Sequence, residues 1–205
     1  MKAQQFVGSL LLILVAHSTN ASLMTSLPYD NAGCCGGAER GYWFTSPVDF
    51  QMESIFLNTS SGLSSDFNFD VLRFTAIPVF NPASNSFTTL LAEDGVSGDY
   101  SFATPISFAS GDIIGLLAYD VGSSRTPYAS PASTLTIDGG SVSATRLYRQ
   151  SLGLNDPVGS EPGFSTGAIG FSYSIGTPEA VPAPATLALF GLGLAGLGWS
   201  RRKKA

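Results

Sequence analysis

The chain has 205 residues and a net charge of −5, a length that suits one domain plus processing segments. Lys2, Arg201, Arg202, Lys203 and Lys204 sit at its ends, so residues 22–181 hold five arginines against all 15 acidic residues, a net charge of −10, with no lysine and no histidine. That composition excludes Ser-His-Asp, Cys-His, Ser-Lys and Schiff-base chemistry and histidine-ligated metal centres in this segment, and an acidic surface repels nucleic acid.

Residues 1–21 read as a secretory signal peptide. Lys2 is the positive start, residues 6–15 are an apolar stretch too short to span a bilayer, and Thr19-Asn20-Ala21 puts small residues before a cut between Ala21 and Ser22. The expected partners of such a segment are a Sec translocon and signal peptidase.

Residues 22–39 are polar and glycine-rich and read as an irregular, flexible arm. The adjacent Cys34 and Cys35 lie within it. Neighbouring Cα atoms are ~3.8 Å apart, below the ~4.4–6.8 Å range of ordinary disulfides, so a bond between them is strained. Gly33, Gly36 and Gly37 give the backbone freedom for such a ring. An oxidising export route favours some disulfide. A vicinal ring, intermolecular cross-links and two free thiols all remain open.

From Arg40 to Gly176 short apolar stretches alternate with Gly, Pro, Asn, Asp and Ser. Strands are predicted at residues 41–45, 49–57, 69–77, 87–92, 99–103, 106–108, 113–119, 134–137, 141–148 and 167–175. Pro105 predicts an edge or a bend. The continuous apolar run 113–119 predicts a central strand buried on both faces. Residues 139–140 read as a hairpin turn. No helical periodicity appears outside the two ends. The expected fold is all-β, a β-sandwich or jelly roll, between a signal helix and a single C-terminal transmembrane helix.

Three side-chain groups invite a site. Glu39, Glu53, Glu93, Glu161 and the aspartates offer a glycosidase-like carboxylate pair. Asp66, Asp70, Asp94 and Asp99 fall in two acidic clusters and are weak calcium candidates, since calcium takes oxygen ligands. They match no defined ligand spacing, and solvated surface charge is the plainer reading. No other metal and no further cofactor is expected. Tyr42-Trp43-Phe44 invites sugar stacking, but neighbours on a strand point to opposite faces, so core packing is the stronger reading.

Residues 177–205 form a linker and a tripartite tail. Val181-Pro182-Ala183-Pro184 keeps the backbone extended. Residues 185–199 are an uncharged transmembrane segment ending at Trp199. Residues 200–205 carry the stop-transfer cations Arg201, Arg202, Lys203 and Lys204. A plain membrane anchor and a GPI signal are the other readings of such a tail, and the cationic terminus argues against the second.

This order of parts resembles the PEP-CTERM sorting signal of Gram-negative bacteria, in a variant with Ala183 where that family most often has glutamate. The resemblance implies recognition by an exosortase, transient tethering in the inner membrane, cleavage near the motif and release to the cell surface or extracellular matrix, with polysaccharide as a neighbour. Residues 40–47 and 110–115 are also similar to a domain recurrent among such proteins, which implies fold and no activity. The expected function is an exported, non-enzymatic surface or matrix protein with a structural or adhesive role. A lectin-like glycan-binding module and a carboxylate-dependent glycan hydrolase are the alternatives.

Overall fold

The computed structural model describes residues 22–32, 38–58, 66–79, 86–122, 126–131 and 133–175. The signal peptide, Cys34 and Cys35, the sorting motif and the transmembrane segment lie outside the described residues. Within them the chain is all-β, without a helix, and every strand pairing is antiparallel.

The strands in chain order are β1 (Leu23–Ser26), β2 (Asn31–Ala32), β3 (Glu39–Thr45), β4 (Phe50–Leu57), β5 (Asp66–Phe74), β6 (Phe87–Ser97), β7 (Asp99–Phe108) and β8 (Ile113–Asp120). There follow β9 (Pro127–Ala129), β10 (Thr134–Ile137), β11 (Gly140–Ser143), β12 (Thr145–Arg149), β13 (Gly159–Glu161), β14 (Thr166–Gly167) and β15 (Ile169–Ile175). A four-stranded sheet runs β1-β15-β4-β7, and a six-stranded sheet runs β13-β12-β3-β8-β5-β6. Two small sheets, β10-β11 and β14-β9-β2, lie outside them.

The inner faces of the two large sheets share one core. Period-2 alternation sends Tyr42 and Phe44 of β3, Ile114 and Leu116 of β8, Phe50 and Met52 of β4, and Phe171 and Tyr173 of β15 into it. Phe44 stacks on Phe171 across the gap, with ring centroids 5.8 Å apart. Each such ring contributes about 2–3 kcal/mol by leaving water. β8 lies between β3 and β5 and is buried along nearly its whole length, as the unbroken apolar run predicts.

A smaller apolar cluster lies on the outer face of the six-stranded sheet. Leu72, Phe74, Leu117, Leu147 and Val158 are buried there, with Trp43, Phe87 and Ile113 packed beside them. Two segments cross this face. Residues 75–79 run from the end of β5 to β13, where Ser160 N donates to Val79 O at 3.2 Å. Residues 150–158, a strap between β12 and β13, reach across to β6, where Thr89 Oγ1 donates to Asn155 Oδ1 at 3.0 Å.

Three local expectations are corrected. The segment expected as an irregular arm contains β1, which pairs residue for residue with β15 from Leu23↔Tyr173 to Ser26↔Gly170. Thr25 and Leu27 are buried there, and two anchors in a four-residue alternation are too few to read as a strand from sequence. The turn expected at residues 139–140 is Asp138-Gly139, both with positive φ of 50° and 73°, the geometry of a two-residue hairpin. The strand expected over 141–148 is two: β11 ends at Ser143, and β12 pairs with β3 in another sheet. Pro105 stands in the edge strand β7, where the register with β4 slips between Met52 and Ser54, so edge and bend are both realised.

Candidate functional site

Glu39 opens β3 and Arg149 closes β12, and the two are partners in the strand register. Asp70 lies on β5, two strands from β3 across β8. Alternation places all three on the outer face: Arg149 follows Leu147 by two, Asp70 precedes Leu72 by two, and Glu39 precedes Trp43 by four. Arg149 is 0 % exposed, Glu39 4 % and Asp70 6 %.

The guanidinium gathers the group. Arg149 Nη1 donates to both Glu39 Oε2 and Asp70 Oδ2. Its Nε donates to Asp156 O of the strap at 3.2 Å. Nη2 has no hydrogen-bond partner among the described residues. Arg40 closes the same strand ends from the other side, its Nη1 donating to Glu39 O at 2.8 Å and to Arg149 O at 2.9 Å. Its guanidinium lies over the Tyr148 ring.

Two carboxylates against one buried cation cannot both ionise cheaply. Burial pushes the Glu39 carboxyl up to about 7, and Asp70 beside it adds to the rise while Arg149 opposes it. Burial also raises Asp70, Arg149 pulls it back, and Asp94 pushes it further up. The group therefore holds a proton on its carboxylate pair through mildly acidic pH, when its net charge is zero.

A carboxyl titrating near neutrality is what general acid–base chemistry uses. Here, however, both carboxyls turn to one nitrogen and sit beneath the strap. The pair on a glycosidase flanks an open cleft with room for a sugar or a water between them. The arrangement is a charged clamp that ties β3, β5, β12 and the strap together.

Asp66 begins β5, and Asp94 and Asp99 are exposed on β6 and β7. Asp70 is the member of the calcium candidates that the clamp takes up. Among the described residues no group of three His, Cys, Asp or Glu side chains is placed to hold a metal ion. Ser22, on the mature side of the expected signal cut, donates from Oγ to Glu53 Oε2 at 2.7 Å. Tyr42 and Phe44 are core residues, and burial raises the Tyr42 hydroxyl strongly. Trp43 is half-buried on the opposite face, its Nε1 donating to Ser160 Oγ at 2.8 Å, so this triplet presents no stacking platform. A groove of about 590 Å³ lies at the end of the sheets away from Ile175, lined by Phe56, Asn58, Phe67 and Asp99 among others.

Sequence reasoning named Glu39 and Asp70 for other roles and missed Arg149 and Arg40. The available signal was Arg149 itself, standing two residues after an apolar Leu147 in a strand pattern.

A model of the PEP-CTERM protein-sorting motif matches residues 180–203. The match contains Val181, Pro182, Ala183 and Pro184, the apolar run, and Arg201, Arg202 and Lys203. The chain thus carries this sorting motif, which implies export, exosortase recognition and processing of a membrane-anchored precursor. The match covers the tail alone and leaves the β-domain unassigned. No curated protein and no solved structure matches the chain.

Proposed function

We propose that the chain is a precursor of a non-enzymatic surface or matrix protein, held by a temporary C-terminal tether until its domain has crossed the membrane. A signal peptide ending at Ala21 starts export. The apolar segment 185–199 and the cations behind it stop transfer in the inner membrane. An exosortase recognises Val181-Pro182-Ala183-Pro184, cuts near it and passes the β-domain to the cell surface or the extracellular polysaccharide. The carrying observation is the sorting-motif match with its three parts in order.

The domain itself we read as a jelly roll. Taking β1, β3, β4, β5, β6, β7, β8 and β15 as strands one to eight, the sheets run 1-8-3-6 and 2-7-4-5, the jelly-roll order. The segment β9–β14 is then an insertion between the last two strands, and β12 and β13 widen one sheet. A sandwich with one large shared core suits a structural or adhesive cargo.

The test is the mature C-terminus. Mass spectrometry of the native exported protein is expected to find a chain lacking residues 185–205. Pro182→Ala with Pro184→Ala is expected to leave export intact and trap an uncleaved membrane form. Recovery of the wild-type protein with Trp199 and the basic tail attached, from a host that has the transpeptidase, overturns the reading.

A further inference from the structure

The two large sheets differ in their outer faces. Residues 75–79 and the strap cross that of the six-stranded sheet. The outer face of the four-stranded sheet is open, and Met24, Ser26, Asp99 and Ser101 on its two edge strands are all exposed. Alternation fixes what this face shows. Ile55 and Leu57 of β4 turn into the core, so Ser54 and Phe56 turn out. The register then lays two rows across the sheet: Ser26, Gly170, Phe56 and Asp99 in one, Met24, Ser172, Ser54 and Ser101 in the next. Ser54 Oγ and Ser172 Oγ share a hydrogen bond of 2.6 Å.

Phe56 is held in place on this face. A methyl on Gly170 would stand 2.3 Å from both Cε2 and Cζ of its ring, so the ring lies across Gly170 and needs a glycine there. Pressed to the sheet on one side, the half-buried ring leaves its other side to solvent. The groove of about 590 Å³ opens beside it, lined by the apolar Leu57 and Phe67 and by the polar Asn58 and Asp99. Asn58 is fixed by its amide, Nδ2 donating to Leu27 O at 2.6 Å. The Asp99 carboxylate makes no hydrogen bond or ion pair with the described residues and is free to accept.

We propose that Phe56, Asp99 and the serines beside them bind a neutral saccharide, a segment of an extracellular polysaccharide. The C–H face of a sugar ring packs on the open side of Phe56. Its hydroxyls donate to the Asp99 carboxylate and exchange hydrogen bonds with Ser101 and the Ser54–Ser172 pair. Charge selects this occupant. The four described arginines all stand on the six-stranded sheet, so no described cation on this face balances a phosphate, an anionic lipid or an acidic polymer. The net −10 between residues 22 and 181 repels all three. A cationic partner would find a single free carboxylate, since Glu53 on the same face already accepts from Ser22, and an exposed ion pair is worth little. A polyol without charge matches a surface of hydroxyls, one carboxylate and one aromatic ring. The site deepens the surface-protein reading, on which the choice of a matrix polysaccharide rests.

The experiment titrates the exported protein, by calorimetry, with neutral hexasaccharides of glucose, mannose and galactose. Carboxymethylated dextran and an oligolysine peptide are the counter-probes. Wild type is expected to bind at least one neutral saccharide with a Kd below about 1 mM, and neither counter-probe. Phe56→Leu keeps an apolar cover over Gly170 and removes the ring; it is expected to weaken binding about three- to tenfold. Asp99→Asn replaces an exposed, unpartnered carboxylate by a group of the same shape. It is expected to weaken binding by about the same factor with Tm unchanged, which separates the site from the fold. Failure to bind any of the neutral saccharides overturns the proposal, as does tighter binding of either counter-probe or binding that both variants leave unchanged. The C-terminal mass of the same preparation is read separately. An uncut chain that binds saccharide fails the sorting reading alone, and a cut chain that binds none fails this proposal alone.

Discussion

Arg149 has the largest side chain among the fully buried described residues, and it is charged. Its removal is therefore felt twice, as lost volume and as two carboxylates left without their cation. Arg149→Met is expected to lower stability by about 3–5 kcal/mol, read by denaturant titration at pH 7.5. Glu39 sets the pH dependence. Its folded-state value of about 7 stands above its ordinary 4.5, so between those limits the folded protein holds a proton that the unfolded chain has released. Stability is full below about 4.5, falls as pH rises towards 7 by about 3 kcal/mol, and levels off above. Asp70, raised in the same direction, adds to the slope. Glu39→Gln is expected to flatten the fall, and an unchanged profile in that variant would refute the assignment. None of this was legible as a site. The ion pairs span 110 and 79 residues along the chain, and only the strand register brings them together.

At the scale of elements, the strap 150–158 is a stretch between β12 and β13 with no strand pairing except at its end, tied to the sheets through Asp156 and Asn155. Asp156 organises it: Oδ2 accepts from Ser151 Oγ at 2.6 Å, N donates to Gly153 O at 3.0 Å, and O accepts from Arg149. Asp156→Ala is expected to cost about 1 kcal/mol and to speed proteolytic cleavage within the strap while leaving the sheets folded, as limited digestion with mass spectrometry would show. Equal acceleration of cleavage throughout the chain would contradict that division. The long strands were readable from sequence because each has enough residues for alternation or an apolar run to register, as with β4 and β8. The short ones were not. β13 and β14 have three and two residues, too few for any period, and exist through their neighbours. Gly41 shows the same limit. A methyl there would lie 1.7 Å from Leu116 O, and at Gly167 it would lie 2.8 Å from Gly41 Cα, so one glycine lets β3 lie close against β8 and the other lets β14 close against β3, a need that no local pattern announces.

For the molecule as a whole, the sorting tail was the most legible part, because order and composition carry it without tertiary contacts. Charge is the other global feature. Every described arginine is engaged: Arg73 pairs with Asp112 and Arg146 with Glu161, each at 3.2 Å, while Arg40 and Arg149 serve the clamp. The described surface thus meets its surroundings through carboxylates.

The placing of β15 between β1 and β4 has a consequence for timing. One large sheet lacks its middle until Ile175 is delivered, only a few residues ahead of the sorting motif. Nothing before that point can seal the inner core, so a chain delivered from its amino terminus stays pliable until nearly all of the domain has been supplied. A chain halted after Ala168 is expected to remain open to protease, whereas one halted after Ile175 resists it. Compaction and arrival at the membrane anchor are in this way made to coincide, and the transpeptidase meets a cargo that has only just become rigid.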